Sequence, residues 1–132
     1  MKENNKTNTN KRVYDLEARL IAFSLMIIKL VEILPTDRSA RLLGSQLLRS
    51  GTSPALNYAE AQVAESSADF IHKMSIALKE LKESQVTLLI IKGRTIVDNS
   101  QYVIDCCNEC SELVAIFLAS VRTARKNAQS RH

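Results

Sequence analysis

The chain has 132 residues, of which 45% are hydrophobic and 24% are charged, the composition of an ordinary globular protein with one domain. A chain of this length buries enough surface to fold without disulfides or structural metals. Only three glycines and two prolines interrupt the sequence, so long helices are favoured over an architecture of short strands and turns.

Charged residues are unevenly distributed along the chain, whose net charge is +4. Residues 1–14 carry four lysines or arginines against one glutamate, and residues 120–132 carry four against none. The intervening residues 15–119 hold ten basic and thirteen acidic side chains, a net charge of −3. A field that attracts anions must therefore come mainly from the two ends of the chain.

Neither a signal peptide nor a membrane span is predicted. The beginning of the chain is polar and rich in asparagine, unlike a secretory signal. The most apolar stretch, Leu20–Leu34, contains Lys29 and Glu32 and is shorter than the roughly 20 residues that cross a bilayer as a helix. Three cysteines without a secretion signal fit a reducing compartment, so we expect a cytoplasmic protein.

The first predicted helix begins near Val13–Asp15 and ends near Leu34, before Pro35. Residues 1–12 lack apolar periodicity and are predicted to form a disordered basic tail. Apolar residues recur in the helix at spacings of three and four, which predicts one inward face. This face consists of Leu16, Leu20, Phe23, Ile27, Leu30 and Leu34.

Helix 1 also carries a second apolar stripe on a neighbouring face, formed by Ile21, Leu25 and Ile28. A bundle helix usually needs about three apolar positions in seven, and helix 1 exceeds that number. The pattern fits a central core helix and a helix at a subunit interface equally well.

The second predicted helix begins around Asp37–Ala40 and contains Pro54. A proline inside a helix lacks the N–H donor and clashes with the carbonyl four residues earlier, here that of Ser50. Two outcomes are possible: one kinked helix, or a break after which Ser53 caps a new helix. Apolar residues keep their phase across the proline, so a single helix kinked near Pro54 is favoured.

Two further amphipathic helices complete the pattern. The third runs from about Ser67 to Lys92 and is followed by Gly93, a favourable residue just after a helix end. The fourth runs to about Lys126, after which residues 127–132 are predicted to form a frayed basic tail. Four such helices with short connections predict an all-α fold, an antiparallel up-and-down four-helix bundle over residues 13–126.

Two stretches resemble the helix signatures of a known family. Residues 46–61, QLLRSGTSPALNYAEA, are similar to the helix-2 signature of the bacterial four-helix-bundle family of 23S rRNA intervening-sequence proteins. Residues 68–84, ADFIHKMSIALKELKES, resemble that family's helix-3 signature. The resemblance covers most of the chain, roughly from Tyr14 to Leu118.

The resemblance implies an up-and-down bundle that assembles as a homopentamer. Members are encoded in insertions within bacterial large-subunit ribosomal RNA genes and elsewhere in genomes. A related branch comprises the accessory variability proteins of diversity-generating retroelements, basic pentameric barrels that bind nucleic acid and a partner reverse transcriptase. That branch is strongly basic, whereas residues 15–119 of this chain are net acidic.

Polar residues in helices 2 and 3 stand out as candidates for a site: Arg49, Asn57, Glu60 and Glu80. Paired carboxylates can perform acid–base catalysis, but no nucleophile, metal-ligand set or phosphate-binding glycine loop accompanies them in the sequence. A buried carboxylate needs a partner. We therefore favour a structural polar network that fixes helix 2 against helix 3 over a catalytic pocket.

Three cysteines, Cys106, Cys107 and Cys110, lie close together in helix 4. A structural zinc site needs four ligands, and the only histidines are His72 and His132. Cys106 and Cys110 belong to the inward stripe, where free cysteine behaves as a small apolar residue. We predict packing rather than a metal site, and no cofactor.

Basic residues near the two ends are the candidates for nucleic-acid binding: Lys11, Arg12, Arg122, Arg125 and Lys126. An up-and-down bundle brings its first and last residues to the same end, and clustered cations attract phosphate through counterion release. The alternative is that these cations only complement the dipole of helix 4 and keep the protein in solution.

The sequence thus favours a non-enzymatic homo-oligomer, pentameric by resemblance, that binds RNA or DNA without sequence specificity through its basic ends. The alternative is a protein-interaction scaffold, for example an accessory subunit for a reverse transcriptase. The surplus apolar surface of helix 1 favours this alternative.

Overall fold

The computed structural model describes the backbone of residues 5–94 and 100–130, and the side chains of residues 16–94 and 101–130. Within these ranges the chain forms helices and no strand. The helices are α1 (Asn5–Ile33), α2 (Arg38–Gln62), α3 (Ser67–Arg94) and α4 (Ser100–Ser130). The predicted all-α fold is confirmed, and none of the described helices is long and apolar enough to cross a membrane.

Each helix runs antiparallel to its neighbours, as contacts between α1 and α4 illustrate. Arg19 pairs with Glu109 at 2.6 Å, whereas further along α1 the carbonyl of Met26 accepts a hydrogen bond from Tyr102, which precedes Glu109 in α4. The same reversed order relates α1 to α2, α2 to α3 and α3 to α4. The predicted up-and-down four-helix bundle is therefore confirmed.

α1, α3 and α4 extend beyond their predicted ends. α3 ends at Arg94, so Gly93 lies within the helix and not just after it. α1 begins at Asn5, so helix is present where the sequence predicts a disordered tail over residues 1–12. Asparagine, threonine and lysine are weaker helix formers than alanine, but none of them breaks a helix. α4 ends at Ser130 rather than near Lys126. The proposed division of the chain into tails and one domain otherwise stays a prediction.

α2 continues through Pro54 as one helix, so the alternative of a break capped by Ser53 is wrong. Because proline has no N–H, the hydrogen bond that residue 54 would donate to the Ser50 carbonyl is missing, which is the cause of the predicted kink. Pro54 itself is fully buried and contributes its ring to the packing. The burial of the ring offsets part of the cost of the missing hydrogen bond.

The core lies between the four helices and is built from their inward stripes. Phe23, Ile27 and Leu30 of α1 are completely buried, as predicted. Tyr58 of α2 meets Phe117 of α4 across the bundle, with ring centroids 5.9 Å apart at an interplanar angle of 73°. Such edge-to-face pairs add about 0.5–1.5 kcal/mol beyond the burial of their area.

The second apolar stripe of α1 remains uncovered within the chain. Leu25 is 61% exposed and Ile21 is 49% exposed, and Ile28 is also exposed. The interpretation of α1 as a central core helix, buried on two sides by its own chain, is therefore wrong. α1 therefore has one apolar face that packs in the core and a second apolar face that is exposed to solvent.

α1 and α2 approach each other closely at Gly51. The hydroxyl of Ser24 donates to the carbonyl of Gly51 at 3.3 Å, while also donating to the carbonyl of Leu20 at 2.9 Å. A Cβ atom added at Gly51 would lie only 2.9 Å from both γ carbons of Ile27. Glycine at this position therefore sets the distance between the two helices.

Candidate functional site

The basic part of α4 lies at the end of the bundle where α1 begins, because α1 and α4 are antiparallel. Arg122, Arg125 and Lys126 are all exposed or partly exposed at this end. The guanidinium of Arg125 donates to the hydroxyl of Ser75 on α3 at 3.3 Å. None of these three cations forms a salt bridge with a described carboxylate, so their charges are available to an anion.

The other two candidate cations, Lys11 and Arg12, belong to the helical part of α1 by their backbone. Their side chains lie outside the described residues. The predicted clustering with the α4 cations therefore stays a prediction, although the antiparallel order of α1 and α4 is the arrangement that it requires.

Two lysines of α3 extend the basic surface, although the sequence analysis did not count them among the candidates for nucleic-acid binding. Lys79 follows Ser75, which contacts Arg125, by one helical turn, and Lys82 follows by two turns, distances of about 6 and 10 Å along the helix axis. Neither lysine forms a salt bridge with a described carboxylate. The spacing of Lys79 and Glu83 is typical of a charge pair within one helix, but the salt bridge of Glu83 is with Arg49 of α2, and the charge of Lys79 has a smaller effect on the pKa of Glu83.

Lys79, Lys82 and Arg125 border an open groove that runs along α3, with a volume of about 800 Å³. On the α2 side the groove is bounded by Gln46 and Arg49. This groove is called the α3 groove below. It is larger than two other concavities beside α3 and α4, whose volumes are about 310 and 580 Å³.

Arg49 and Glu80, two of the predicted network residues, are brought together between α2 and α3. One terminal nitrogen of Arg49 donates to Glu80 at 2.7 Å, and the other donates to Glu83 at 2.9 Å. Glu80 is 14% exposed and Arg49 is 58% exposed. The hydrogen bond from Arg49 holds the pKa of Glu83 below its usual value, and the two carboxylates raise the pKa of Arg49.

Asn57 and Glu60 do not join this arrangement. Asn57 donates to the carbonyl of Ser53 at 3.1 Å and to its hydroxyl at 2.9 Å, within α2 itself. Glu60 pairs with Lys73 of α3 at 2.8 Å. The structure thus places the four residues in three separate sets of contacts along the α2–α3 packing, and only two of these sets connect the helices.

A buried hydroxyl pair lies beside the Arg49 contacts. The hydroxyl of Ser84 on α3 donates to that of Ser50 on α2 at 2.8 Å, and both serines are almost completely buried. The two hydroxyls are thus hydrogen-bonded to each other at a position that water does not reach. The only sequence signal for this pair was the inward phase of Ser50 and Ser84 in otherwise apolar stripes.

The cysteines pack as predicted for small apolar residues. Cys106 and Cys110 are buried, and Cys107 is partly buried. Burial raises the pKa of the Cys106 and Cys110 thiols to about 12, which disfavours the thiolate that metal binding and nucleophilic reactions need. Among the described residues, no group of three or more metal-ligating side chains comes together.

Exposed aliphatic side chains lie on both helices beside the contact between α1 and α2. Ser24 of α1 contacts Gly51 of α2. Ile21 and Ile28 lie three and four residues from Ser24, so they are its neighbours on the surface of α1. On α2, Leu48 precedes Gly51 by three residues and is also exposed. These side chains form the α1/α2 aliphatic face, consisting of Ile21, Leu25, Ile28 and Leu48. Scattered exposed aliphatics are normal, but a contiguous set marks a candidate interface.

Comparison with known proteins identifies the family. The family model of the 23S rRNA-intervening sequence proteins matches residues 14–118. The chain belongs to this family. A protein of unknown function from the S23 ribosomal protein family of Bacteroides thetaiotaomicron has a crystal structure with a TM-score of 0.74 to this 23S rRNA-intervening sequence protein. The two are 29% identical, and the alignment covers 83% of this chain and 97% of the other. Comparison with curated proteins gives no match.

The matched range separates the two groups of candidate residues in this 23S rRNA-intervening sequence protein. The interhelical contacts of Arg49, Glu60 and Glu80 lie inside it, whereas Arg122 and the cations after it lie beyond its last residue. Lys11 and Arg12 likewise precede its first residue. The family match therefore concerns the bundle and its helix contacts, and the basic ends are additional to it.

Proposed function

We propose that this 23S rRNA-intervening sequence protein is a non-enzymatic homo-oligomer that binds RNA or DNA without sequence specificity through its basic ends. The observation that carries the proposal is the set of cations Arg122, Arg125 and Lys126, none of which is in a salt bridge with a described carboxylate. Cations of this kind on a rigid helix can each replace a counterion on a phosphate backbone.

The position of these cations argues against the helix-dipole alternative. The dipole effect falls off within the last turn of a helix. α4 continues to Ser130, and its last turn contains no basic residue. Arg122 precedes that end by two turns and Lys126 by one. The dipole of α4 therefore explains little of why the cations are located there.

The α1/α2 aliphatic face supports the homo-oligomeric part of the proposal. Covering an exposed aliphatic side chain stabilises an interface by about 25 cal/mol for each Å² removed from water. The resemblance to the family implies a pentamer, and a closed ring of five would repeat the basic end of each chain on one side. Multiplying the cations in this way would raise the affinity for a phosphate backbone through avidity.

Binding of labelled single-stranded RNA and duplex DNA to the full-length protein, measured by fluorescence anisotropy over a series of salt concentrations, tests the proposal. A variant with glutamine in place of Arg122, Arg125 and Lys126 should bind more weakly. With duplex DNA, its slope of log K against log salt should become shallower by roughly 0.9 for each phosphate that the protein no longer neutralises. Changing the base sequence of the probe should have little effect.

A matched control removes the same charge from the opposite end of the bundle. Arg38, Arg41 and Lys92 are exposed and lie at the end where α1 connects to α2, so their replacement by glutamine leaves the α4 cations intact. We expect the control to bind as the natural protein does. Equal weakening of both variants would mean that only net charge matters, and absence of binding in the natural protein would end the proposal.

A scaffold for a partner protein is the second candidate function, and the exposed α1/α2 aliphatic face favours it. Light scattering distinguishes the two uses of this face. If copies of the chain cover it, Leu25→Glu should lower the molar mass of the natural oligomer. If the natural protein is a stable monomer, the homo-oligomeric part of the proposal is wrong and a different protein is the expected occupant of the face.

A further inference from the structure

The α3 groove has a cationic part and an aliphatic part that follow one another along α3. Four of its lining residues recur at spacings of three and four and therefore share one face of the helix: Lys79, Lys82, Val86 and Ile90. The cations are called its border below, and Val86 with Ile90 is called its floor. Val86 and Ile90 are 55% and 50% exposed, and neither lies at an end of α3. From Ser75 at one end to Ile90 at the other, the groove follows α3 for about 23 Å. That length corresponds to four turns of a helix lying alongside α3.

Four cations and one carboxylate, that of Glu83, line the groove, and one of these cations is neutralised by salt bridges. Arg49 is engaged by Glu80 and Glu83. In contrast, Lys79, Lys82 and Arg125 form no salt bridge with a described carboxylate. The groove therefore carries positive charge that can meet carboxylates on an incoming chain.

We propose that the α3 groove binds an acidic amphipathic helix of a partner protein. Apolar residues of that helix pack on Val86 and Ile90, and glutamates or aspartates further along the same face lie opposite Lys79 and Lys82, which precede the aliphatic pair in α3. This is the groove mode of helix recognition, in which anchors spaced by three and four residues enter an apolar groove. The proposal goes beyond nucleic-acid binding and depends on a different set of side chains, with Arg125 as the only residue in common.

The lining favours a protein helix over nucleic acid. Single-stranded nucleic acid is bound by aromatic rings on which bases stack, and none of the described residues that line the groove is aromatic. A duplex binds through its phosphates and gains nothing from an aliphatic floor. Burial of Val86 and Ile90 requires an apolar surface of the ligand, which an amphipathic helix provides.

A fluorescein-labelled helical peptide of about 16 residues matches the groove length. One face of this peptide carries leucines over half of its length and glutamates over the other half, matching the order of the groove. The control peptide has the same composition in scrambled order, so its leucines do not share a face. Anisotropy titration with the full-length protein should show saturable binding of the first peptide and at least tenfold weaker binding of the second.

Two variants separate the floor from the border. Val86→Gln with Ile90→Gln replaces exposed side chains by a good helix former, and the affinity should fall about tenfold because two aliphatic side chains no longer become buried. Lys79→Gln with Lys82→Gln should weaken binding mainly at low salt. The matched control, Ile33→Gln with Leu118→Gln, removes exposed aliphatics outside the groove and should leave the affinity unchanged.

Three outcomes would overturn the inference. Equal weakening in the control would show that the peptide adheres to apolar surface in general. If the floor variant kept full affinity while single-stranded RNA displaced the peptide, the groove would be an anion surface. If the floor variant lowered the molar mass of the protein without peptide, the groove would be an interface between copies. RNA binding through the α4 cations is measured separately, with Arg122 and Lys126 variants, so either proposal can fail alone.

Discussion

Replacing Gly51 by alanine tests whether the close approach of α1 and α2 is specific. The added Cβ atom would lie 2.9 Å from Cγ1 and from Cγ2 of Ile27, and 3.2 Å from its Cβ. Distances under 3.0 Å are not found for ordinary Cβ contacts. Ile27 is fully buried, and its β-branched side chain has one strongly preferred rotamer in a helix. It cannot turn away, so the helices must separate.

Two opposing terms decide the sign of the effect. Alanine is better than glycine by about 1 kcal/mol in a helix interior, whereas overpacking a well-packed site costs about 1–3 kcal/mol. With two contacts to a rigid side chain, the steric cost should prevail. We therefore expect Gly51→Ala to destabilise the fold by about 1 kcal/mol, a shift in Tm of roughly 3 °C for a chain of this size.

Gly93 provides the control, because a Cβ atom there would meet nothing within 4 Å. Gly93→Ala should stabilise the protein slightly, by less than the full propensity gain because it lies at the end of α3. Urea denaturation of both variants at one protein concentration measures the difference. In a double-mutant cycle, Ile27→Ala and Gly51→Ala together should cost less stability than the sum of the two single substitutions, because the smaller side chain removes the steric overlap. A Gly51→Ala variant as stable as Gly93→Ala would refute the packing argument.

The remaining predictions concern polar contacts and one buried thiol. Ser84→Ala should cost about 1–3 kcal/mol because it leaves the buried hydroxyl of Ser50 without its partner, and changing both serines to alanine should recover part of that stability in urea denaturation. The pKa of Glu83 is lowered by Arg49, so this contact stabilises the fold above the unfolded-state pKa and its contribution disappears as pH falls through the folded-state pKa. Arg49→Gln should therefore reduce Tm at about pH 7 but have little effect at about pH 2, where the carboxylates are protonated. The Cys110 thiol, whose pKa is raised to about 12, should react with a thiol reagent only upon unfolding, as a quenched labelling reaction followed by mass spectrometry would show; labelling at the rate of a free thiol would contradict its burial.

The fold could be predicted because the spacing of apolar residues shows which face of each helix points inward, and this spacing can be read without knowing which helices pack together. Leu20, Phe23 and Ile27 recur at helical spacing and are all buried. Helix ends were less predictable. At the beginning of α1 the polar residues provide neither an apolar stripe nor a breaker, so the pattern contained no signal that helix reaches back as far as Asn5.

The predicted polar network shows that two residues on the same face of a helix need not contact each other or share a partner. Arg49 and Glu60 are eleven residues apart and point in nearly the same direction, but their positions differ by about 16 Å along the axis. That separation exceeds the reach of the two side chains, so each finds a different partner on α3, Glu80 for Arg49 and Lys73 for Glu60. Periodicity gives the direction of a side chain, whereas the partner depends on the register of the facing helix.

The register of α3 against α4 likewise decides whether the two proposed binding surfaces lie next to each other. Arg125 lies opposite Ser75, which places the α4 cations within two turns of Lys79 and Lys82. A sequence shifted by one turn in α4 would put Arg125 beyond this contact and would separate the basic end from the α3 groove. Because the two surfaces meet at Arg125, changing this residue should weaken RNA binding and peptide binding together. Changes at Lys126 or at Ile90 should each affect only one of the two, and that contrast tests both assignments in the same protein.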